Sequence, residues 1–295
     1  MQVRKLAYAL GAEITGVDLR EDLDAGTIAA IRAAWLEHLV LAFPGQELTT
    51  EQHIRFSRCF GELELHALKN LQGKEHPEIL EITNRIVDGK RSETAEVGRQ
   101  WHTDGSATMR PSLGSLLYCR AMPDAGGNTW FASLYAAYDA LSDTMKGVLE
   151  PLESVQDLGY FYGNRGIGAR DAGKVSVDIG DNPAVVQPLV TVHPETGRKA
   201  LFVNESLIRQ IHGMSREESA GLLQYLHRHA VRPEFTYRHY WRVGDLIMWD
   251  NRCTQHLAPR DYNPDQVRNM CRTTLKGHPQ GRYLHDAAAP SAASH

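Results

Sequence analysis

Apolar residues recur with two different periods along this chain, and the change of period marks its elements. In AGTIAAIRAAWLEHLV (Ala25–Val40), Ile28, Ile31, Trp35 and Leu39 fall three or four apart and predict a helix with one apolar stripe. A second helix is expected from Thr49, where TTEQ has the Thr-x-x-Gln form of a capping box. A third, Leu134–Leu149, contains YAAYDAL. A fourth starts at Ser215, boxed with Glu218, and runs through GLLQYLHRHA. Elsewhere the runs are short and bounded by turns. LGSLLYC (Leu113–Cys119), NTWFAS (Asn128–Ser133), PLVTVH (Pro188–His193), KALFVN (Lys199–Asn204), EFTYRHYW (Glu234–Trp241), DLIMWD (Asp245–Asp250) and MCRTTLKG (Met270–Gly277) read as strands. Several alternate apolar with polar residues, as half-buried strands do. GNRGIGARDAGK and DYNPDQ read as long loops. Many short strands with peripheral helices predict a mainly β fold, a sandwich or barrel decorated by helices. No internal repeat or linker divides the chain, so residues 1–285 read as a single domain. The last ten residues, DAAAPSAASH (286–295), are small and polar and are expected to be a disordered tail.

Composition narrows the setting more than the function. The 295 residues carry a net charge of -4 with no basic block, which gives no support to a nucleic-acid partner. The N-terminal MQVRKLAYALGAEITGVDL has no long apolar run, so neither a signal peptide nor a membrane span is expected. Cys59, Cys119, Cys253 and Cys271 are scattered without CxxC spacing, the pattern of reduced thiols in a cytoplasmic protein.

The candidate chemistry starts at WHTDGS. His102 and Asp104 are two residues apart, so on an extended strand both side chains leave one face. DLIMWD runs into NRCTQH, which places His256 just beyond a strand end. Two histidines and a carboxylate on one face of an ion suit non-haem Fe(II) with open positions; zinc accepts the same donors in a hydrolytic site. The chain has 14 histidines, so the three taken alone are weak evidence. Downstream, Arg268 and Arg272 are four apart. On an inward-facing strand each guanidinium needs an anion; on a surface strand neither does. Spacing leaves the two readings level.

Taken together, WHTD, AGGNTWFASLYAAYDAL, VHPETGRKALFVN and GDLIMWDNRCTQH…RNMCRTTL resemble the TauD/TfdA family of Fe(II)- and 2-oxoglutarate-dependent dioxygenases. The similarity runs from GAEITGVDL through FPGQELTTEQHIRFSRCFGE to LKG. It implies a double-stranded β-helix (jelly-roll) core, with iron held by His102, Asp104 and His256. Arg268 would pair with the distal carboxylate of 2-oxoglutarate, assisted by the Thr129 hydroxyl. Arg272 would meet an anionic substrate head group beside the cosubstrate. One more residue separates His256 from the arginines than in family members, and Pro264 lies in that loop. The reaction implied is O2-dependent hydroxylation with release of succinate and CO2, in which the product can collapse to cleave a C–S or C–O bond. Asp104 stands where related halogenases carry a small residue, which favours hydroxylation over halogenation and leaves desaturation open. Family members form dimers or tetramers, so a homo-oligomer is expected.

Substrate signals are sparser. His66 resembles a histidine that touches the sulfonate in taurine dioxygenase, and Lys69 replaces the tyrosine nearby. Lys90, after Asp88-Gly89, resembles a lysine that approaches a carboxylate in the herbicide dioxygenases. With Arg272 these predict a small carboxylate or sulfonate, although at least one lysine is expected on the solvated surface. A zinc hydrolase on the same triad and a non-catalytic jelly-roll binding module are the alternatives. Trp249, Tyr118, His53, Cys59, His193, Asn204 and the strand RHYWR read as packing, surface or hydrogen-bonding residues.

Overall fold

The computed structural model describes residues 1–65, 75–87, 89–160 and 183–284. Its largest sheet has seven strands in the order Gln2–Lys5, Ala12–Thr15, Val40–Phe43, Leu246–Asp250, Gly114–Ala121, Asn269–Leu275 and Leu80–Thr83. Neighbours run antiparallel, except for Ala12–Thr15 beside Val40–Phe43. A three-stranded sheet is formed by Thr236–His239, Thr129–Ser133 and Thr254–Leu257. A four-stranded one is formed by Ile208–Ile211, Glu153–Gln156, Val185–Pro188 and Arg282–Tyr283. The core is a jelly roll, as the resemblance implies, and mainly β, as the strand pattern predicts.

Period-two alternation sorts the central strands between two cores. Leu117, Cys119, Ile247, Trp249 and Met270 pack inward with Phe131, Leu201 and Ile208 of the smaller sheets. Their chain neighbours Leu116, Tyr118, Leu246 and Met248 point the other way, onto Ile31, Trp35 and Phe56 of the N-terminal helices. A one-residue slip would exchange the two sets, so the burial of both faces locks the register. Trp35 and Trp249, 0 % and 1 % exposed, anchor the two sides; burying a side chain of this size contributes roughly 2–3 kcal/mol.

Both capping boxes are present, Thr49 with Gln52 and Ser215 with Glu218. The helix expected over Ala25–Val40 stops at His38, because Leu39 takes a left-handed φ of 64° and Val40 is already extended. The helix expected over Leu134–Leu149 is two, Leu134–Asp139 and Asp143–Leu149; the Ser142 hydroxyl accepts from Met145 N and starts the second. Pro188–His193 is also divided. Val185–Pro188 pairs with Glu153–Gln156, then the chain turns a corner and Val190–Val192 pairs with Lys199–Leu201. Pro233 opens a 3₁₀ turn, leaving only Thr236–His239 of Glu234–Trp241 as strand. The loop expected at GNRGIGARDAGK (Gly163–Lys174) and the tail 286–295 both lie outside the described residues. No helix among the described residues is long and apolar enough to cross a membrane.

Candidate active site

Backbone pairing brings the two histidines together across 154 positions of sequence. His102 N donates to His256 O at 3.0 Å and His256 N to His102 O at 2.8 Å, a single antiparallel bridge. Thr103 Oγ1 donates to Thr254 O and ties the same segments again. After Asp104 the chain turns under Ser112 with Gly105 at φ +68°. A Cβ there would sit 2.5 Å from Ser112 Oγ, so only glycine fits.

Donor atoms of His102, Asp104 and His256 lie within 4.8 Å of one another. His102 Nε2 is 3.8 Å from Asp104 Oδ1, and His256 Nε2 is 4.0 Å from Oδ2. These gaps exceed hydrogen-bond length. By contrast, His193 Nε2 and His239 Nε2 stand 3.1 Å from Asp250 and Asp245, as true hydrogen-bonded pairs do. Imidazoles that surround a carboxylate without bonding to it leave room for an ion between them. His102 Nδ1 lies 2.8 Å from Gln100 O; a carbonyl only accepts, so Nδ1 carries the hydrogen and Nε2 keeps its lone pair. Burial lowers the pKa of His102, and of His256 further, helped there by His102. Burial alone would raise Asp104, but the groups around it, Arg272 foremost, outweigh it and hold the carboxyl well below its usual range. The donors are thus two neutral imidazoles and one carboxylate, a set that fits a divalent ion.

A second cluster, His193, Asp250 and Cys253, also satisfies ligand spacing. Its atoms are already engaged. His193 Nδ1 accepts from the amides of Glu195 and Thr196, so Nε2–H donates to Asp250, and Arg252 forks onto the same carboxylate. His193 is structural here, as the sequence suggests. Asn204 is too, bonding Ser106, Gln156 and Leu207 N.

Next to the triad is a pocket of about 370 Å³ whose polar wall includes His102, His256, Thr129, Arg268 and Arg272. Leu117, Trp249 and Ile82 supply apolar wall. Arg268 immediately precedes the strand Asn269–Leu275 and Arg272 lies within it, and both are buried, so the inward reading of the pair is the one realised. Arg268 Nε donates to Gly127 O at 2.9 Å, and its own amide is held by Asn84 Oδ1. Gly126 makes that turn possible, since a Cβ there would lie 2.0 Å from Asp261 O. No carboxylate among the described residues forms an ion pair with Arg268, and burial lowers its pKa. Thr129 Oγ1 accepts Trp241 Nε1–H at 2.9 Å, which leaves the hydroxyl hydrogen free to donate. Arg272 Nη1 donates to Asp104 Oδ1 at 2.7 Å, while its buried Nε has no partner among the described residues. The anion expected opposite Arg272 is therefore, in this structure, Asp104 itself.

His66 and Lys69 lie outside the described residues. Lys90 belongs to the short strand Lys90–Arg91, and its side chain lies outside them too. Sequence reasoning missed the supports of the site: Asn84, Trp241, Ser115 and Asn251. The signal available was a polar residue inside an apolar run, Ser115 in LGSLLYC, which is costly unless hydrogen-bonded.

Residues 2–274 match the family described as taurine catabolism dioxygenase TauD, TfdA family. The chain is 35% identical over 281 residues to an (S)-phenoxypropionate/alpha-ketoglutarate-dioxygenase of Sphingobium herbicidovorans, covering 94% of this chain and 95% of that protein. It is 34% identical over 282 residues to an alkylsulfatase of Acinetobacter baylyi, covering 94% and 85%. Among solved structures it is similar to AAD-2 in complex with Mn(II) and N-oxalylglycine, with a TM-score of 0.82, 33% identity, and coverage of 95% and 100%.

Proposed function

The chain belongs to the TauD/TfdA family and is a 2-oxoglutarate-dependent non-haem iron dioxygenase, and from that premise we propose that it hydroxylates a small organic anion. His102, Asp104 and His256 would hold Fe(II). Arg268 and Thr129 would take the distal carboxylate of 2-oxoglutarate. Bound iron and cosubstrate supply the oxidation: one oxygen atom of O2 enters a substrate C–H bond, the other enters succinate, and CO2 leaves.

The protein's own residues set the stage for that chemistry. Burial keeps both imidazoles unprotonated at neutral pH, and Arg272 keeps Asp104 ionised. The Trp241 indole donates to Thr129 Oγ1 and so leaves the hydroxyl hydrogen free to donate to a ligand in the pocket. Leu117, Trp249 and Ile82 shield the reacting centre from water.

Charge favours an anionic substrate. Two guanidiniums against one carboxylate leave one net positive charge on the pocket wall. A ferrous ion adds two and 2-oxoglutarate removes two, so a monoanion restores neutrality. An ion beside Asp104 also frees Arg272 Nη1 for the substrate head group. Two of the relatives are named for organic anions, phenoxypropionate and alkyl sulfate, which agrees with this reading. The head group is a carboxylate or a sulfonate, and the hydroxylated product can collapse with C–S or C–O cleavage when the new hydroxyl adjoins a heteroatom. Residues 1–285 would act as one catalytic unit. Four cysteines that stay as free thiols suit a reducing compartment such as the cytoplasm.

The observation that carries the proposal is a buried guanidinium, Arg268, without an acidic partner among the described residues, beside a His/Asp/His set. A panel of aryloxyalkanoates, alkyl sulfates, sulfonates and neutral isosteres tests it, read by O2 uptake and succinate. Anions should turn over and neutral isosteres should not. Equal turnover of the neutral compounds, with kinetics unchanged in Arg272→Ala, would overturn the anion assignment.

A further inference from the structure

Behind Asp104 runs a chain of three buried hydrogen bonds that begins at an indole. Trp249 Nε1 donates to Asn251 Oδ1 at 2.9 Å, Asn251 Nδ2 donates to Ser115 Oγ at 3.0 Å, and Ser115 Oγ donates to Asp104 Oδ2 at 2.7 Å. Trp249, Asn251 and Ser115 are each at most 1 % exposed. The direction of the chain is forced. An indole N–H can only donate, so the oxygen of the Asn251 amide must face it and its NH2 must face Ser115. The serine oxygen then accepts from Asn251, and its single hydrogen has one acceptor left, the carboxylate.

We infer that Ser115, oriented by Asn251 and Trp249, is the positioning residue that fixes which oxygen Asp104 offers to the metal. The inference rests on the iron-dioxygenase reading above. One hydrogen held on Oδ2 leaves Oδ1 as the oxygen that faces a cation. Oδ1 is the oxygen that carries the Arg272 guanidinium in this structure, so a cation already occupies that side. The hydrogen bond also opposes rotation of the carboxylate. Without it, Oδ2 is a buried acceptor with no donor, and it turns toward the next available cation. Asp104 would then chelate an ion through both oxygens and take a position that the two-point binding of 2-oxoglutarate requires.

Nothing else among the described residues performs this task. The His193–Asp250–Arg252 cluster adjoins Asn251 in sequence, but its side-chain bonds run on to Glu195 and Arg32, not to Asp104. Arg272 approaches only Oδ1. Ser115 lies in the strand Gly114–Ala121, paired with Trp249 on one side and Thr274 on the other, so the backbone fixes its place as firmly as its chemistry.

Two variants test the inference. Ser115→Ala removes the hydrogen, and Asn251→Asp keeps the shape and the indole bond but replaces the donor by an acceptor, which pulls the serine hydrogen away from Asp104. Each is titrated anaerobically with Mn(II), read by the free-ion spin signal, and with Fe(II) and 2-oxoglutarate, read by the visible charge-transfer band. Mn(II) affinity should fall about 10-fold or more in both, the usual scale for losing a partner of a metal ligand. The band at saturating 2-oxoglutarate should shift or vanish. A band superimposable on the parent's in Ser115→Ala, with Mn(II) affinity within threefold, would overturn the positioning role. The same result in Asn251→Asp alone would overturn the directed chain. If Ser115→Ala does not fold, the isosteric Asn251→Asp decides. Absence of a band in the parent would instead count against the iron and 2-oxoglutarate reading itself.

Discussion

Replacing Arg268 by methionine separates what this residue does for the ligand from what it does for the fold, because the two effects have opposite sign. Arg268 is 7 % exposed, bonds Gly127 O through Nε, and pairs with no carboxylate among the described residues. In the ligand-free protein it is a buried charge without its counter-ion. Methionine keeps the stem that packs near Gly127 and removes the charge. Relief of desolvation is worth about 2 kcal/mol or more, and the lost Nε bond costs about 1 kcal/mol. The net is a gain of about 1 kcal/mol, a rise in Tm on the order of 2 °C for a chain of this size. For the ligand the change is severe. A carboxylate that loses a charged two-bond partner in a buried site loses about 3–4 kcal/mol, which at about 1.4 kcal/mol per decade is a few-hundred-fold rise in the 2-oxoglutarate Kd. Isothermal titration of the Mn(II)-loaded protein measures the affinity, and thermal unfolding without 2-oxoglutarate measures the stability. A variant that binds 2-oxoglutarate within fivefold of the parent, or that unfolds several degrees lower without ligand, would refute the reasoning.

Arg272→Met should do the reverse to the fold. It strips Asp104 of its guanidinium partner, and breaking a buried pair from one side costs about 3–5 kcal/mol; differential scanning should show a metal-free Tm drop that added Mn(II) largely restores. Thr129→Val should raise the KM for 2-oxoglutarate about 10-fold with a smaller change in kcat, since one donor is lost and the Trp241 N–H is left unpaired. His53 is buried and its pKa falls to about 3, chiefly by desolvation. The folded state therefore binds fewer protons than the unfolded one between that value and the ordinary histidine pKa of about 6.5, so stability falls as pH falls through this window. From pH 6.5 to 5 the loss from this group is about 2 kcal/mol, and urea midpoints for His53→Gln should show a pH slope shallower by about one proton.

Much of the site is legible in the chain because its chemistry is spaced locally. HTD sets two ligands two residues apart, although His102 lies in an isolated bridge and Asp104 in the turn after it rather than on one strand, and Arg268 and Arg272 reach one pocket because four residues span two strand periods. Both capping boxes are visible for the same reason: their partners are three residues apart. What escapes the sequence is long-range. Asp104 and Arg272 lie 168 residues apart, and Asn251 and Ser115 lie 136 apart. No local pattern tells which buried polar group answers which. The break after Asp139 escapes too, because the apolar stripe continues across it and only the Ser142 hydroxyl betrays the new helix start. Left-handed Leu39 breaks the usual preference for glycine, and its side chain is buried at 2 % exposure, so tertiary packing overrides local propensity there.

One anaerobic titration bears most directly on the claim that His102, Asp104 and His256 hold a single ferrous ion beside 2-oxoglutarate. Fe(II) added to the protein with excess 2-oxoglutarate should develop a visible charge-transfer band that saturates at one ion per chain. His102→Ala and His256→Ala should abolish it. No band at any iron concentration, or a band of equal strength after either histidine is removed, would contradict it.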